Sequence, residues 1–273
     1  MDDNTLKKLH NVMLEIIDDF VSLCKENNFT YFLAGGTLLG AVRHNGFIPW
    51  DDDVDIIMPR NDYEKLLKLF KDDDNPKYYI LSRKSPITTY YNYLPYAKLC
   101  KKGTVFAESY RKNPDDYSGI FIDIFPFDNS VPIFLRLQAS LIEAAKRLYR
   151  LKMRFDIPKN KIKLFIIKRI RFLIPLKLSR SLQLLPYLFF NGIKTKYISV
   201  FSGIFDFNTE THKRDMIFPL SKQSFEGREL NIPKDWDFYL KKYYNNYMEL
   251  PPIEQRKTHE PLFIKFGDEE QGE

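Results

Sequence analysis

The chain has 273 residues, 44% of them hydrophobic and 15% aromatic, which is ample for a buried core and marks a globular protein. Its two cysteines, Cys24 and Cys100, suit a reducing compartment and are too few for a structural zinc site. The opening "MDDNTLKKLH" lacks a basic stretch leading into an apolar one, and the longest apolar run, "IKLFIIKRIRFLIPLKL", is interrupted by Lys168, Arg169 and Arg171, so the expectation is a cytoplasmic protein without a spanning helix.

In "TLKKLHNVMLEIIDDFVSLCKENN", residues Leu6, Leu9, Met13, Ile16, Ile17, Phe20, Leu23 and Cys24 recur at helical spacing and predict an amphipathic helix ending at Asn27 and Asn28. A short strand "YFLAG" follows, then a Gly-Gly turn and a brief helix "TLLGAVRH" with Thr37 as its cap. After the loop "NGFIPW", four aspartates crowd into five positions (Asp51, Asp52, Asp53 and Asp55) and open a strand "VDIIMP". The helix "NDYEKLLKLF" comes next, capped by Asn61 or Asp62. Strand-like pieces "YYILS", "LPYAKLC", "TVFAES" and "GIFIDIFPF" then follow closely, which implies a mixed sheet and an α/β or α+β class.

The chain reads as one domain over 1–273, with a core at 1–130, a basic helical insertion at about 131–200 and a closing section at 201–266. The insertion holds 16 Lys/Arg against two acids although the whole chain is only +6, so the remainder is net acidic. In the closing section "FPLSKQSFEGRELNIP" reads as two strands turning at Gly227, and "KDWDFYLKKYYNNYM" as a helix stopped by Pro251 and Pro252.

The acidic cluster carries the chemistry. Carboxylates this close repel unless a cation lies between them, and an unpaired charge at the mouth of the apolar run "IIM" is costly. Oxygen ligands on one strand face, completed by phosphate oxygens, suit Mg²⁺, with Mn²⁺ as the alternative. Strand alternation puts Asp51, Asp53 and Asp55 on one face and Asp52 on the other, and the acid-apolar alternation of "DVDI" selects Asp53 and Asp55 as ligands, Asp51 being an outer helper. Asp123 is a lone acid in the apolar "GIFIDIF" and is the candidate third carboxylate and proton acceptor, whereas Asp128 reads as an ordinary strand-end residue. Gly35 and Gly36 sit between strand and helix, where backbone N–H groups can approach a phosphate, or where the pair is only a tight turn.

The string "FLAGGTLLGAVRHNGFIPWDDDVDIIMPRNDYEKL", residues 32–66, resembles the signature of the LicD family within the nucleotidyltransferase superfamily, and "FEGRELNIPKDWDFYLKKYYNNYMELPP" resembles that family's tail. The resemblance implies the DNA polymerase β-like fold and transfer of phosphocholine from a CDP-alcohol donor, CDP-choline, to a hydroxyl of a cell-surface glycan precursor, with CMP released; the related fukutin group moves ribitol phosphate. It implies Mg²⁺ at Asp53, Asp55 and Asp123, and carries over Gly35, Gly36, Thr37, Arg43, His44 and Lys98 as substrate- and phosphate-binding candidates. Arg43 and His44 read equally as a solvated helix end, and Lys98 as a snorkelling strand lysine. Trp50 is either a stacking platform or a packing anchor, and Arg256 and His259 are further candidates.

The basic stretch 146–180 fits either a surface against anionic lipid, suited to a lipid-linked acceptor on the inner face of the membrane, or a solvated helix face. Nucleic acid ranks below both because no nucleic-acid motif accompanies the charge. The rival functions are a nucleotidyltransferase acting on a sugar, drug or protein, and a non-catalytic membrane or nucleic-acid binding module.

Overall fold

A computed structural model describes residues 1–71, 74–82, 95–109, 117–137, 190–202, 205–256 and 261–267, apart from a few positions within and between these ranges, and every structural statement concerns the described residues. The basic stretch 146–180 lies outside them.

Helix α1 (Asp3–Glu26) starts where Asp2 accepts a hydrogen bond from the Thr5 amide at 2.9 Å and stops at Asn27, with Asn28 in the left-handed region. Its apolar stripe of Leu6, Leu9, Met13, Ile16, Ile17, Phe20 and Cys24 is buried. Six of these are large side chains, so the helix contributes on the order of 10 kcal/mol of gross burial, much of it offset by the entropy of ordering the chain. Burial pushes the Cys24 thiol up to about 12, the behaviour of a core residue.

The main sheet takes the order β1-β2-β6-β4-β3, from β1 (Phe32–Leu33), β2 (Asp55–Pro59), β3 (Tyr78–Leu81), β4 (Ala97–Lys101) and β6 (Phe121–Ser130). β2 and β6 run parallel, whereas β1, β3 and β4 pair antiparallel to their neighbours, so the sheet is mixed as the sequence predicts. The ladder between β4 and β6 stops at Ile124, two residues before Pro126, so β6 accommodates a proline in a central strand. Beyond it, β7 (Tyr197–Ser199) pairs with residues 128–130, and β8 (Thr211–Lys213) pairs with β7. The insertion expected over about 131–200 stops short of that bound, because the chain is back in the sheet from Tyr197.

α2 (Gly35–His44) links β1 to the acidic loop, and α3 (Arg60–Leu69) leaves β2 directly. Both predicted caps are corrected. α2 begins two residues before Thr37, and α3 begins after Pro59 with no side-chain cap; Asp62 instead accepts the Thr30 amide at 3.0 Å. α1 and α3 pack against β6. β5 (Val105–Ala107) pairs with the late strand β11 (Phe263–Lys265). β9 (Ser221–Phe225) and β10 (Arg228–Ile232) form the predicted hairpin through Glu226 and Gly227, both at positive φ. Short α4 (Arg214–Ile217) precedes it, and α5 (Trp236–Tyr244) follows, capped by Asp235. α5 ends at Asn245, at φ +52°, well before the prolines expected to stop it.

A buried ion pair fixes the far end of the β2–β6 ladder. Arg60 donates to both carboxylate oxygens of Asp128 at 2.8 and 2.7 Å, with 4% and 0% of the two side chains exposed. Asp128 is therefore not the ordinary strand-end residue that its place after Pro126 suggests.

Candidate active site

β2 begins at Asp55, one residue later than predicted, so Asp51 to Val54 is loop and strand alternation does not govern Asp51 and Asp53. The carboxylates meet by another route. In the parallel ladder Asp55 stands opposite Asp123, and in the antiparallel ladder on the other side Asp123 stands opposite Lys98. Three ionisable side chains thus form one row across β2, β6 and β4, on one face of the sheet. Asp53 reaches the same place from the loop, and Asp53, Asp55 and Asp123 line a cavity of about 240 Å³.

The glycine pair makes room for this arrangement. Gly35 lies at φ +53°, and a Cβ there would stand 2.4 Å from Asp55 Oδ2; at Gly36 it would stand 2.6 Å from Asp51 Oδ2. The Thr37 hydroxyl accepts the Asp55 amide at 2.8 Å, so Thr37 orients the carboxylate rather than capping the helix. On the approach side, the His10 ring stacks on Phe47 at 3.8 Å and its Nε2 bonds the Asp51 carbonyl at 2.7 Å, which ties α1 to the acidic loop. Asp52, which the alternation directs away from the site, is buried with 1% exposed and does not line the cavity.

Burial is the largest influence on both strand carboxylates. It raises Asp55 well above the usual range, with the charges of Asp53, Asp123 and Asp51 adding to it. It lifts Asp123 to about 6, against the opposing charge of Lys98. The physical meaning is a cluster with a high affinity for positive charge. Lys98 supplies part of it: its ammonium lies 3.3 Å from Asp123 Oδ1 and 3.4 Å from Glu108 Oε1, with 2% of the side chain exposed. That placement corrects the phosphate-facing role expected of Lys98, which stands behind Asp123 and holds it.

The residues present fit a hard divalent cation. The donors are all carboxylate oxygens, and Asp123 Oδ1 is buried and accepts no hydrogen bond from the described residues despite the nearby ammonium. Among the described residues no group of three His, Cys, Asp or Glu side chains is placed to hold a metal ion together. Mg²⁺ does not require one, since it is commonly held by one or two carboxylates with substrate phosphates and water completing the octahedron.

Other candidates fall elsewhere. Arg43 and His44 end α2, about 13 Å along its axis from Gly35. Arg43 donates to the carbonyls of Tyr247 and Glu249 at 2.7 and 3.3 Å and, through Nε, to His44, so its role is to pin the chain after α5. The Arg256 guanidinium lies 4.4 Å from the Trp50 ring centroid, which favours the anchor reading of Trp50. His259 lies outside the described residues. The cavity is lined as well by residues not singled out from sequence: Tyr96, Phe205, Glu210, Tyr239, Tyr243 and Tyr244. Their one sequence signal is the tyrosine density of "FYLKKYYNNY".

Comparison with known proteins gives concordant results. The family model described as "LicD/FKTN/FKRP, nucleotidyltransferase domain" matches residues 28–149. The lipopolysaccharide cholinephosphotransferase LicD of Haemophilus influenzae is 29% identical over 265 residues, covering 93% of this chain and 96% of that protein. An uncharacterized protein of Rickettsia typhi is 42% identical over 62 residues, 22% of this chain and 20% of its own length. Residues 28–149 thus carry a LicD-family domain, and the similarity to the Haemophilus protein runs on through the closing helix.

Proposed function

We propose that this protein is a Mg²⁺-dependent transferase that moves phosphocholine from CDP-choline to a hydroxyl of a cell-surface glycan precursor and releases CMP. The carrying observation is the row of Asp55, Asp123 and Lys98 beside Asp53 in one cavity, in a chain aligned almost end to end with a lipopolysaccharide cholinephosphotransferase. Carboxylates on adjacent strands of a mixed sheet also support the DNA polymerase β-like fold. The absence of any helix among the described residues long and apolar enough to cross a membrane is compatible with work at the inner membrane face on a lipid-linked acceptor.

Of Asp53, Asp55 and Asp123, one or two at a time would hold Mg²⁺, or Mn²⁺, with substrate phosphates and water completing the shell; when bound, the cation would neutralise diphosphate oxygens and the charge growing on the departing CMP. Asp123 takes the acceptor hydroxyl's proton as the new P–O bond forms on the choline-bearing phosphorus and the bond to the CMP phosphate breaks. Lys98 and Thr37 keep Asp123 and Asp55 in place.

The test is CMP release from CDP-choline with Mg²⁺ and extracted glycan precursor, using donor labelled on the choline-bearing phosphorus. Label on the glycan is expected, and Asp123→Asn and Asp55→Asn should each lose about 10²-fold or more. Retention of activity by Asp55→Asn, or transfer of the nucleotide's own phosphorus, would overturn the reading.

A further inference from the structure

The cavity has two chemically different parts to its lining. Besides the carboxylates it carries Phe205, whose ring stands perpendicular to Tyr243 (5.0 Å between centroids, 88°) and to Tyr244 (6.4 Å, 90°), so aromatic faces meet at a corner. The corner is braced from behind. Tyr239 stacks on Tyr243 at 4.6 Å, His212 stacks on Tyr239 at 4.7 Å, and His212 Nε2 lies 3.1 Å from the Tyr243 hydroxyl. Glu210, 4% exposed, ties the two walls by accepting the Phe205 amide at 3.2 Å and the Tyr243 hydroxyl at 2.9 Å.

We propose that this aromatic corner, closed by Glu210, binds the trimethylammonium end of phosphocholine while the carboxylates hold the phosphate through their cation. The assignment rests on the transferase reading for its substrate and goes further in naming the residues that choose it. A quaternary ammonium has no N–H to donate, so a protein recognises it by aromatic faces and a nearby negative charge. A polyol or a primary amine requires hydrogen-bonding partners that aromatic faces do not provide. Phe205 is 38% exposed, so one wall of the corner is open to solvent rather than locked in the core. Burial pushes Glu210 up to about 7, which marks a carboxylate that gains from an approaching cation. Tyr244 lines the same cavity as Asp53 and Asp55, so the corner and the carboxylates share one space.

Calorimetric titration in Mg²⁺ with phosphocholine and with its uncharged carbon isostere, 3,3-dimethylbutyl phosphate, tests the assignment. The native protein should prefer phosphocholine by about 10-fold, the scale of a desolvated cation–π contact. Glu210→Gln and Tyr244→Leu should shrink the preference to within about threefold, and Tyr244→Phe should keep it. Phe205→Leu should also reduce it, and its half-open position keeps that variant available if Tyr244→Leu does not fold. Equal binding of the two compounds, binding of neither, or a preference that survives both Glu210→Gln and Phe205→Leu would overturn the assignment. A clear preference without CMP release from CDP-choline would sink the transferase reading and leave the subsite standing. Turnover of CDP-choline with no preference for the cation would do the reverse.

Discussion

Arg60 and Asp128 are the place where one substitution should cost most stability without touching the cavity. They lie one residue beyond the last ladder pair of β2 and β6, Pro59 with Phe127, and five residues past Asp55 and Asp123, or about 16 Å along the strand direction. Asp128→Leu leaves a guanidinium that is 4% exposed with Glu64 at 3.6 Å in place of its bidentate partner, and Arg60→Met leaves a wholly buried carboxylate with Asn191 as a remaining donor at 2.6 Å. Breaking one side of such a pair costs about 3–5 kcal/mol, because the desolvation of the charge left behind is no longer offset by its bidentate partner. At roughly 2–4 °C per kcal/mol for a chain of this size, the melting temperature should fall by about 6–20 °C. The double variant Arg60→Met/Asp128→Leu removes both charges and should recover much of that loss. Urea denaturation of the native protein, both single variants and the double variant measures all four corners of the cycle. The reasoning is refuted if either single variant loses less than about 1 kcal/mol, or if the double variant is as unstable as the sum of the singles.

Gly35→Ala should cut transferase activity at least about tenfold while lowering stability by about 1–3 kcal/mol, since it combines strain at φ +53° with a clash against Asp55 Oδ2; wild-type kinetics would count against the crowding described. The pH dependence of stability should carry two opposed contributions beside the cavity. Burial lowers His212 to about 3, so the unfolded chain takes up a proton that the fold refuses, and stability drains by about 1.4 kcal/mol per unit as pH falls from about 6.5 towards 3. Glu210, raised to about 7, works the other way: its contribution is full below about 4.5 and is lost as pH rises through 7. Urea midpoints from pH 8 to 4 should therefore show Glu210→Gln gaining on the native protein as pH rises and His212→Phe gaining as pH falls, and parallel curves for all three would contradict both assignments.

The elements set by local pattern were readable in the chain. The apolar stripe of α1, the succession of strands from Tyr78 to Ser130 and the hairpin at Glu226–Gly227 lie close to where periodicity and turn chemistry put them, because each needs only neighbouring residues. Element ends were less readable. Thr37, Asn61 and Asp62 have the chemistry of caps, yet Thr37 serves Asp55 and Asp62 serves Thr30, because tertiary partners outcompeted the local ones.

Within the site the division is similar. Asp53, Asp55 and Asp123 stood out because an acid beside apolar strand residues is costly without a purpose, and that cost is visible in one dimension. Arg43 and Lys98 looked equally suited to phosphate, and only packing shows one pinning the chain after α5 and the other standing behind Asp123. The aromatic corner had no such signal. Phe205, Glu210 and Tyr243 come from a loop and a helix whose approach depends on β7 and β8 joining the sheet beyond Pro126, a pairing between residues about 70 apart. The sequence by itself determined which residues are expensive to bury and hence where the acidic cluster lies. The tertiary structure decided which distant side chains share a cavity with that cluster, because register between strands and the return of the chain after the insertion are global choices that no short stretch encodes.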